Sequence, residues 1–340
     1  MDTKTLSQTA RAMVAPGKGL LAADESSGTC KKRFDSVSVE CTEESRRAYR
    51  ELLFTAPGLP EFVSGVILFD ETLRQKTKDG VNFAEYLNRN GIIPGIKVDA
   101  GAHDMALHPG EKVTEGLDGL AKRMDEYFKL GARFAKWRAV ITIGEGIPSS
   151  ACIKANAHAL ARYSAICQEA SIVPIVEPEV LLDGNHSVER SEQVHEDTLE
   201  ALFHEIERQG VSLEHLILKA SMVVSGKANA RQAPVNEVAE RTLRVLKRTV
   251  PAALPGIVFL SGGQTDVNAT AHLDAMNRAG SVPWPLTFSY SRALQAVALN
   301  TWRGSAGNVA AAQKALHHRA RMNSLAAKGQ WSAESEKKAA

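Results

Sequence analysis

Eight short apolar runs, each separated from the next by a longer connecting segment, constrain this chain more than anything else in it. They span residues 19–24, 63–70, 92–99, 132–138, 172–177, 213–223, 256–261 and 286–290. Most are continuous apolar stretches rather than strict alternations, as expected of strands covered on both faces in a parallel sheet. Several connecting segments have helical periodicity. Thr42-Glu43-Glu44-Ser45 opens one with a capping signature, and Tyr49, Leu52 and Leu53 follow at helical spacing. Residues 113–130, 149–170, 187–209 and 236–250 read as amphipathic helices. Strand and helix alternating eight times predict a (β/α)8 TIM barrel, an α/β fold closed on itself. An open, doubly wound sheet would satisfy the same pattern, because periodicity does not reveal closure. A chain of 340 residues suits one such barrel. The reading is a single domain over 1–326 and a mobile polar tail over 327–340.

Composition removes several classes of function. The net charge of +2 gives no reason to expect a nucleic-acid or membrane partner, so any anion preference must come from local placement of Lys and Arg. Cys30, Cys41, Cys152 and Cys167 form no C-x-x-C pair and are expected as free thiols in a reducing compartment. No secretory apolar core follows Met1, and no run approaches the length of a membrane span, so a cytoplasmic location is expected. The ten histidines include no H-x-H or H-E-x-x-H, so no metal is expected. Gly17 and Gly19 do not extend to G-x-G-x-x-G, so no dinucleotide cofactor is expected either.

In parallel barrels the catalytic groups come from the C-terminal ends of the strands. Here those ends supply Asp24, Asp70, Lys97, Lys136, Arg138, Glu177, Glu179, Lys219, Ser261 and Arg292. Lys219 stands out, because it sits inside the apolar run 213–223. Burial disfavours an ammonium, and a neutral amine attacks carbonyl carbon to form a Schiff base. Taken alone, a strand-end lysine more often snorkels into solvent. The company of two further lysines, two arginines and several carboxylates favours chemistry, since such neighbours divide acid and base roles among themselves.

Six segments, in order, resemble the class I, Schiff-base fructose-1,6-bisphosphate aldolases. They are 17–26 (Gly-Lys-Gly-Leu-Leu-Ala-Ala-Asp-Glu-Ser), 95–99 (Gly-Ile-Lys-Val-Asp), 134–138 (Phe-Ala-Lys-Trp-Arg), 174–179 (Pro-Ile-Val-Glu-Pro-Glu), 260–264 (Leu-Ser-Gly-Gly-Gln) and 286–295. The resemblance implies reversible cleavage of fructose 1,6-bisphosphate to dihydroxyacetone phosphate and glyceraldehyde 3-phosphate, in glycolysis and gluconeogenesis, without metal or cofactor. Lys219 would attack the ketone, and Glu177, with its pKa raised, would protonate the departing water. Glu179 would tune Glu177, Asp24 would handle the hydroxyl proton at the cleaved bond, and Lys136 would help hold Lys219 neutral. One phosphate would fall to Ser261, Gly262, Gly263 and Arg292, whose placement after strands seven and eight is the recurrent phosphate position in such barrels. The other would fall to Lys97, Arg138, Ser26 and Thr29, with Arg33 able to serve either and Ser289 also on the substrate. Sugar phosphates would be the only small-molecule partners, and the assembly a homotetramer.

This chain departs from the family's pattern in three places. Ala220-Ser221-Met222 follows Lys219 where Pro-Asn-Met is common. Ser291 replaces a glycine whose N–H meets phosphate. The last tyrosine is Tyr290, where animal and plant members end in one, which leaves open the preference between bisphosphate and monophosphate ketoses. A transaldolase-like lyase would share the barrel and lysine but not these strings. A non-catalytic scaffold would have no use for Lys219, Glu177 and Asp24 in one cavity.

Overall fold

The eight apolar runs are strands, and they close. The computed structural model describes residues 1–337, and residues 338–340 lie outside them. Among the described residues ten strands occur: β1 (Gly19–Ala23), β2 (Val63–Leu68), β3 (Ile93–Lys97), β4 (Gly101–Asp104), β5 (Lys112–Glu115), β6 (Phe134–Ile141), β7 (Val173–Val180), β8 (Ile217–Ala220), β9 (Ile257–Phe259) and β10 (Leu286–Tyr290). Eight form a closed barrel in the order β1-β10-β9-β8-β7-β6-β3-β2, every pairing parallel. Closure is made by β1, which pairs with β2 on one side and with β10 on the other through Leu20↔Ser289 and Leu21↔Tyr290. This decides for the barrel over the open sheet.

The strands are continuous apolar runs because both faces are covered. Outward side chains pack on the ring of helices: Trp137 lies 5.6 Å from the Tyr163 ring of helix Ser150–Glu169. Inward side chains fill the N-terminal half of the barrel. Leu20, Ile67, Phe134, Ile175, Ile217 and Val258 form one buried cluster, closed from below by Leu6, Ala10 and Met13 of helix Thr3–Met13. Phe134 needs room, and Gly95 and Gly65 give it. A Cβ at 95 would lie 2.2 Å from the Phe134 ring, and one at 65 would lie 3.0 Å from it. The floor is therefore solid, and the cavity lies above it at the C-terminal ends of the strands.

The helices follow their sequence signals closely, with one exception. Thr42 caps helix Glu43–Phe54 in a reciprocal box with Ser45. Residues 113–130 are not one helix: Lys112–Glu115 is β5, paired antiparallel with β4, and the helix begins at Leu120. Gly116 and Gly119, with φ of +124° and +67°, turn the chain between the two. The segment read as a mobile tail beyond Ala326 also differs, because residues 327–337 are tied down. Helix Ala333–Lys337 presents Glu336 to the buried Arg319 at 2.6 Å, and the Trp331 N–H donates to Asp274 at 2.8 Å. No helix among the described residues is long and apolar enough to cross a membrane.

Candidate active site

Strand alternation aims the charged side chains inward. Lys136 and Arg138 on β6, and Glu177 and Glu179 on β7, each sit two residues apart and so share the barrel face, while Trp137 between the first pair points out. Parallel register then sets the neighbours: Lys97 opposite Lys136, and Arg138 opposite Glu177.

At the centre, alternating charges form a chain across the cavity. Lys219 Nζ lies 3.0 Å from Glu177 Oε1, and the residue is only 4% exposed. The other oxygen of Glu177 lies 3.3 Å from Lys136 Nζ, which in turn sits 2.8 Å from Asp24 Oδ2. Burial alone would raise the Asp24 carboxyl, but the charges of Lys136, Lys219 and Lys97 outweigh it and hold Asp24 far below the usual carboxylate range. Lys136 mirrors this: desolvation opposes its charge, yet Asp24, Glu177 and Asp99 outweigh it and push the ammonium up.

Glu177 corrects an expectation. The sequence reading has its pKa raised by its surroundings. Burial does act that way, but Lys136, Lys219 and Arg138 reverse the outcome and hold the carboxyl below its ordinary value. These neighbours therefore favour the ionised form of Glu177.

Around this centre the cavity, of about 600 Å³, has a cationic rim. Arg138 is paired through Nε with Glu179, and Lys97 Nζ with Asp99 at 2.9 Å. Asp99 is a residue that the sequence reading did not select. It also accepts the Arg138 N–H at 3.2 Å, and its position two residues after Lys97 was the available clue. Ser26 caps helix Ser27–Asp35 and lies 3.3 Å from Thr29, both facing the cavity.

On the opposite side, Gly262 and Gly263 adopt φ of +58° and +94° directly after Ser261, a left-handed pair that exposes backbone donors. Ser261, Gly262 and Arg292 line the cavity. Gly263 stands behind the guanidinium, with Arg292 Nη2 3.3 Å from where its Cβ would be. Ser289 also lines the cavity, and its buried hydroxyl has no protein partner, so it is open to a ligand.

Two candidate residues behave differently from the rest. Asp70 heads helix Asp70–Arg74, pairs with Arg74 at 3.0 Å and does not line the cavity. Arg33 lines it but is anchored to the buried Glu25. Glu25, also not selected from sequence, receives Arg50 at 2.9 Å and the Ser291 hydroxyl at 2.6 Å. The Ser291 side chain is thus turned toward Glu25 and Arg33. Among the described residues, no group of three or more His, Cys, Asp or Glu side chains is placed to hold a metal ion.

A buried amine beside a carboxylate, a second carboxylate across a lysine bridge, and cationic sites on either side suit chemistry on a doubly anionic carbonyl compound. Comparison with known proteins agrees. The chain matches the profile of the glycolytic family described as fructose-bisphosphate aldolase class-I over residues 5–340. It is 61% identical over 332 residues to a probable class 1 fructose-bisphosphate aldolase of Xanthomonas axonopodis pv. citri, covering 97% of this chain and 99% of that one. A fructose-bisphosphate aldolase of Dictyostelium discoideum is 52% identical, with 96% and 92% covered. Among solved structures, the aldolase of Plasmodium falciparum, in complex with TRAP and an inhibitor, superposes with a TM-score of 0.95 at 50% identity, with 97% and 95% covered.

Proposed function

Because the chain belongs to the class-I fructose-bisphosphate aldolase family, we propose that Lys219 forms the imine through which it cleaves fructose 1,6-bisphosphate. The observation that carries this reading is the contact of Lys219 Nζ with Glu177 at 3.0 Å inside a closed barrel. Glu177, ionised at rest, takes a proton from Lys219 and frees its lone pair. The amine attacks the ketone carbon. Glu177 then returns the proton to the hydroxyl of the carbinolamine, which leaves as water and gives the iminium. In the carbinolamine the Lys219 nitrogen is uncharged, so one of the charges that hold Glu177 down is gone and the carboxyl keeps its proton until the departing hydroxyl takes it.

Asp24, kept anionic by Lys136, accepts the proton of the hydroxyl on the carbon beyond the breaking bond. That oxygen becomes an aldehyde as the bonding electrons move into the iminium, leaving an enamine on Lys219. Lys136 bridges both carboxylates and stabilises negative charge on the reacting oxygens. Glu179 anchors Arg138 beside the site. Ser261, the Gly262-Gly263 backbone, Arg292 and Ser289 bind one phosphate. Lys97, Arg138, Ser26 and Thr29 bind the other, with Arg33 at the rim. The catalytic unit is one domain over residues 1–326, acting on sugar phosphates in the cytoplasm as a homotetramer, in glycolysis and in the reverse direction. Family membership supports this, as does a 52% identical Arabidopsis thaliana relative named as a cytosolic fructose-bisphosphate aldolase.

Sodium borohydride with dihydroxyacetone phosphate tests the reading. Reduction should attach the triose to Lys219, as read by peptide mass spectrometry, and EDTA should leave cleavage intact. Attachment at another lysine would overturn the assignment.

A further inference from the structure

The two strands that carry Glu177 and Lys219 come apart where the chemistry happens. β7 pairs with β6 as far as Val180, opposite Ile141, but its last registered pair with β8 is Val176↔Leu218. Prolines open this gap. The N–H groups of Val173 and Leu181 point to β6, donating to Arg133 and Ile141. On strand alternation the even-numbered donors of β7 therefore face β8. Pro174 and Pro178 are even-numbered and have no N–H. Beyond Val176 the next donor toward β8 belongs to Val180. No backbone carbonyl of β8 takes it; the Ser221 hydroxyl does, at 3.1 Å.

Ser221 is itself held. His195, on helix Val188–Arg208, is 4% exposed, and its Nδ1 lies 2.7 Å from the Ser191 carbonyl. A carbonyl only accepts, so Nδ1 carries the proton. Burial holds the ring at a pKa of about 4, hence neutral at physiological pH, and leaves Nε2 an acceptor. Nε2 lies 3.1 Å from Ser221 Oγ and takes its hydrogen. The hydroxyl lone pair is thereby turned to the Val180 N–H. Direction is fixed along the whole line: Val180 N–H to Ser221, Ser221 O–H to His195, His195 N–H to Ser191.

We propose that Ser221 and His195 are positioning residues of the reaction, a side-chain strut that replaces the missing ladder between β7 and β8 and sets the approach of Glu177 to Lys219. Ser221 lies two residues beyond Lys219, and Val180 three beyond Glu177, so the strut spans the gap next to the reacting pair. Neither residue touches the substrate cavity, and both act through the backbone. Lateral misplacement of about 1 Å at a reacting pair costs up to 100-fold in rate. This inference rests on Lys219 as the imine-forming residue.

The test is single-turnover borohydride trapping of dihydroxyacetone phosphate, normalised to folded enzyme, with substrate affinity measured separately. Ser221→Ala should slow trapping about 10- to 100-fold with affinity unchanged. Ser221→Thr, which keeps the hydroxyl, should recover most of the rate. His195→Leu should slow trapping less than Ser221→Ala, and the double variant should be no slower than Ser221→Ala alone. Thr242→Val is the control: its hydroxyl likewise accepts a backbone N–H from the same segment, Val223 at 2.9 Å, but away from the pair. It should trap within about twofold of the parent. A parent-like rate for Ser221→Ala, or an equal loss in Thr242→Val, would overturn the strut. If Ser221→Ala does not fold, His195→Leu at the parent rate does the same. Absence of any triose on Lys219 in the parent enzyme would instead refute the imine assignment.

Discussion

Replacing Lys136 by Met tests the charge arrangement at the heart of the site. The ammonium is 3% exposed and bridges Asp24 at 2.8 Å and Glu177 at 3.3 Å. Its loss takes the nearest cation from Asp24 and leaves Glu177 with Lys219 alone, and breaking a buried pair from one side costs about 3–5 kcal/mol. Unfolding entropy near 60 °C is about 2.1 cal/mol/K per residue. For 340 residues that is about 0.7 kcal/mol/K, so Tm should fall by roughly 4–7 °C at pH 7. The pH dependence is the sharper part. Asp24 and Glu177 have depressed folded pKa values. Their stabilisation is therefore complete above the unfolded values, near 4, and is lost as pH falls toward the folded ones. Lys136 is shifted up, so its share persists until pH rises past the unfolded value of about 10.4. The Tm gap between parent and Lys136→Met should be widest from about pH 5 to 10. It should narrow by about 2 °C at pH 3 from Asp24 alone, which stays ionised in the folded parent while the unfolded chain takes up a proton, and Glu177 adds in the same direction. Calorimetry or circular dichroism melts across that range measure it. A gap that is the same at pH 3 and pH 7 would refute the coupling of Lys136 to both carboxylates.

Arg292→Ala should raise KM for fructose 1,6-bisphosphate about 10- to 100-fold with kcat little changed, since one charge-assisted contact is worth about 1.5–3 kcal/mol; an unchanged KM in a coupled assay would place that phosphate elsewhere. Gly95→Ala should destabilise by at least about 1–3 kcal/mol through overpacking against Phe134, a shift of roughly 1–4 °C in a thermal melt, and a parent-like Tm would show that the floor of the barrel is not tightly filled.

Much of this architecture could be read from the chain because a strand covered on both faces cannot hide its composition. Every barrel strand announced itself as an apolar run, and the inward charges stood within or at the end of such runs. Closure could not be read, because the β1–β10 pairing joins residues about 270 positions apart and hydrophobic period carries no information about partners. The second strand of the β4–β5 hairpin was hidden within an apparently helical pattern that two left-handed glycines interrupt. Glu177 shows the other limit. Its place at a strand end is legible, but the sign of its shift depends on two lysines from different strands meeting at its two oxygens. Asp99 and Glu25 were passed over for a similar reason, since each matters through the cation it pins, and that partnership is three-dimensional. Ser221 was visible only as a departure from a familiar string, its partner His195 lying 26 residues upstream.

The packed base beneath the site, built by Phe134 and the N-terminal helix, leaves the barrel a vessel with a single mouth. Whatever enters to meet Lys219 must leave by the way it came. On the proposed mechanism one half stays bonded to Lys219 after the carbon chain breaks while the other is loose, so the aldehyde must depart before the tethered triose can. An ordered sequence of release then follows from the shape of the container, with no gate needed to enforce it.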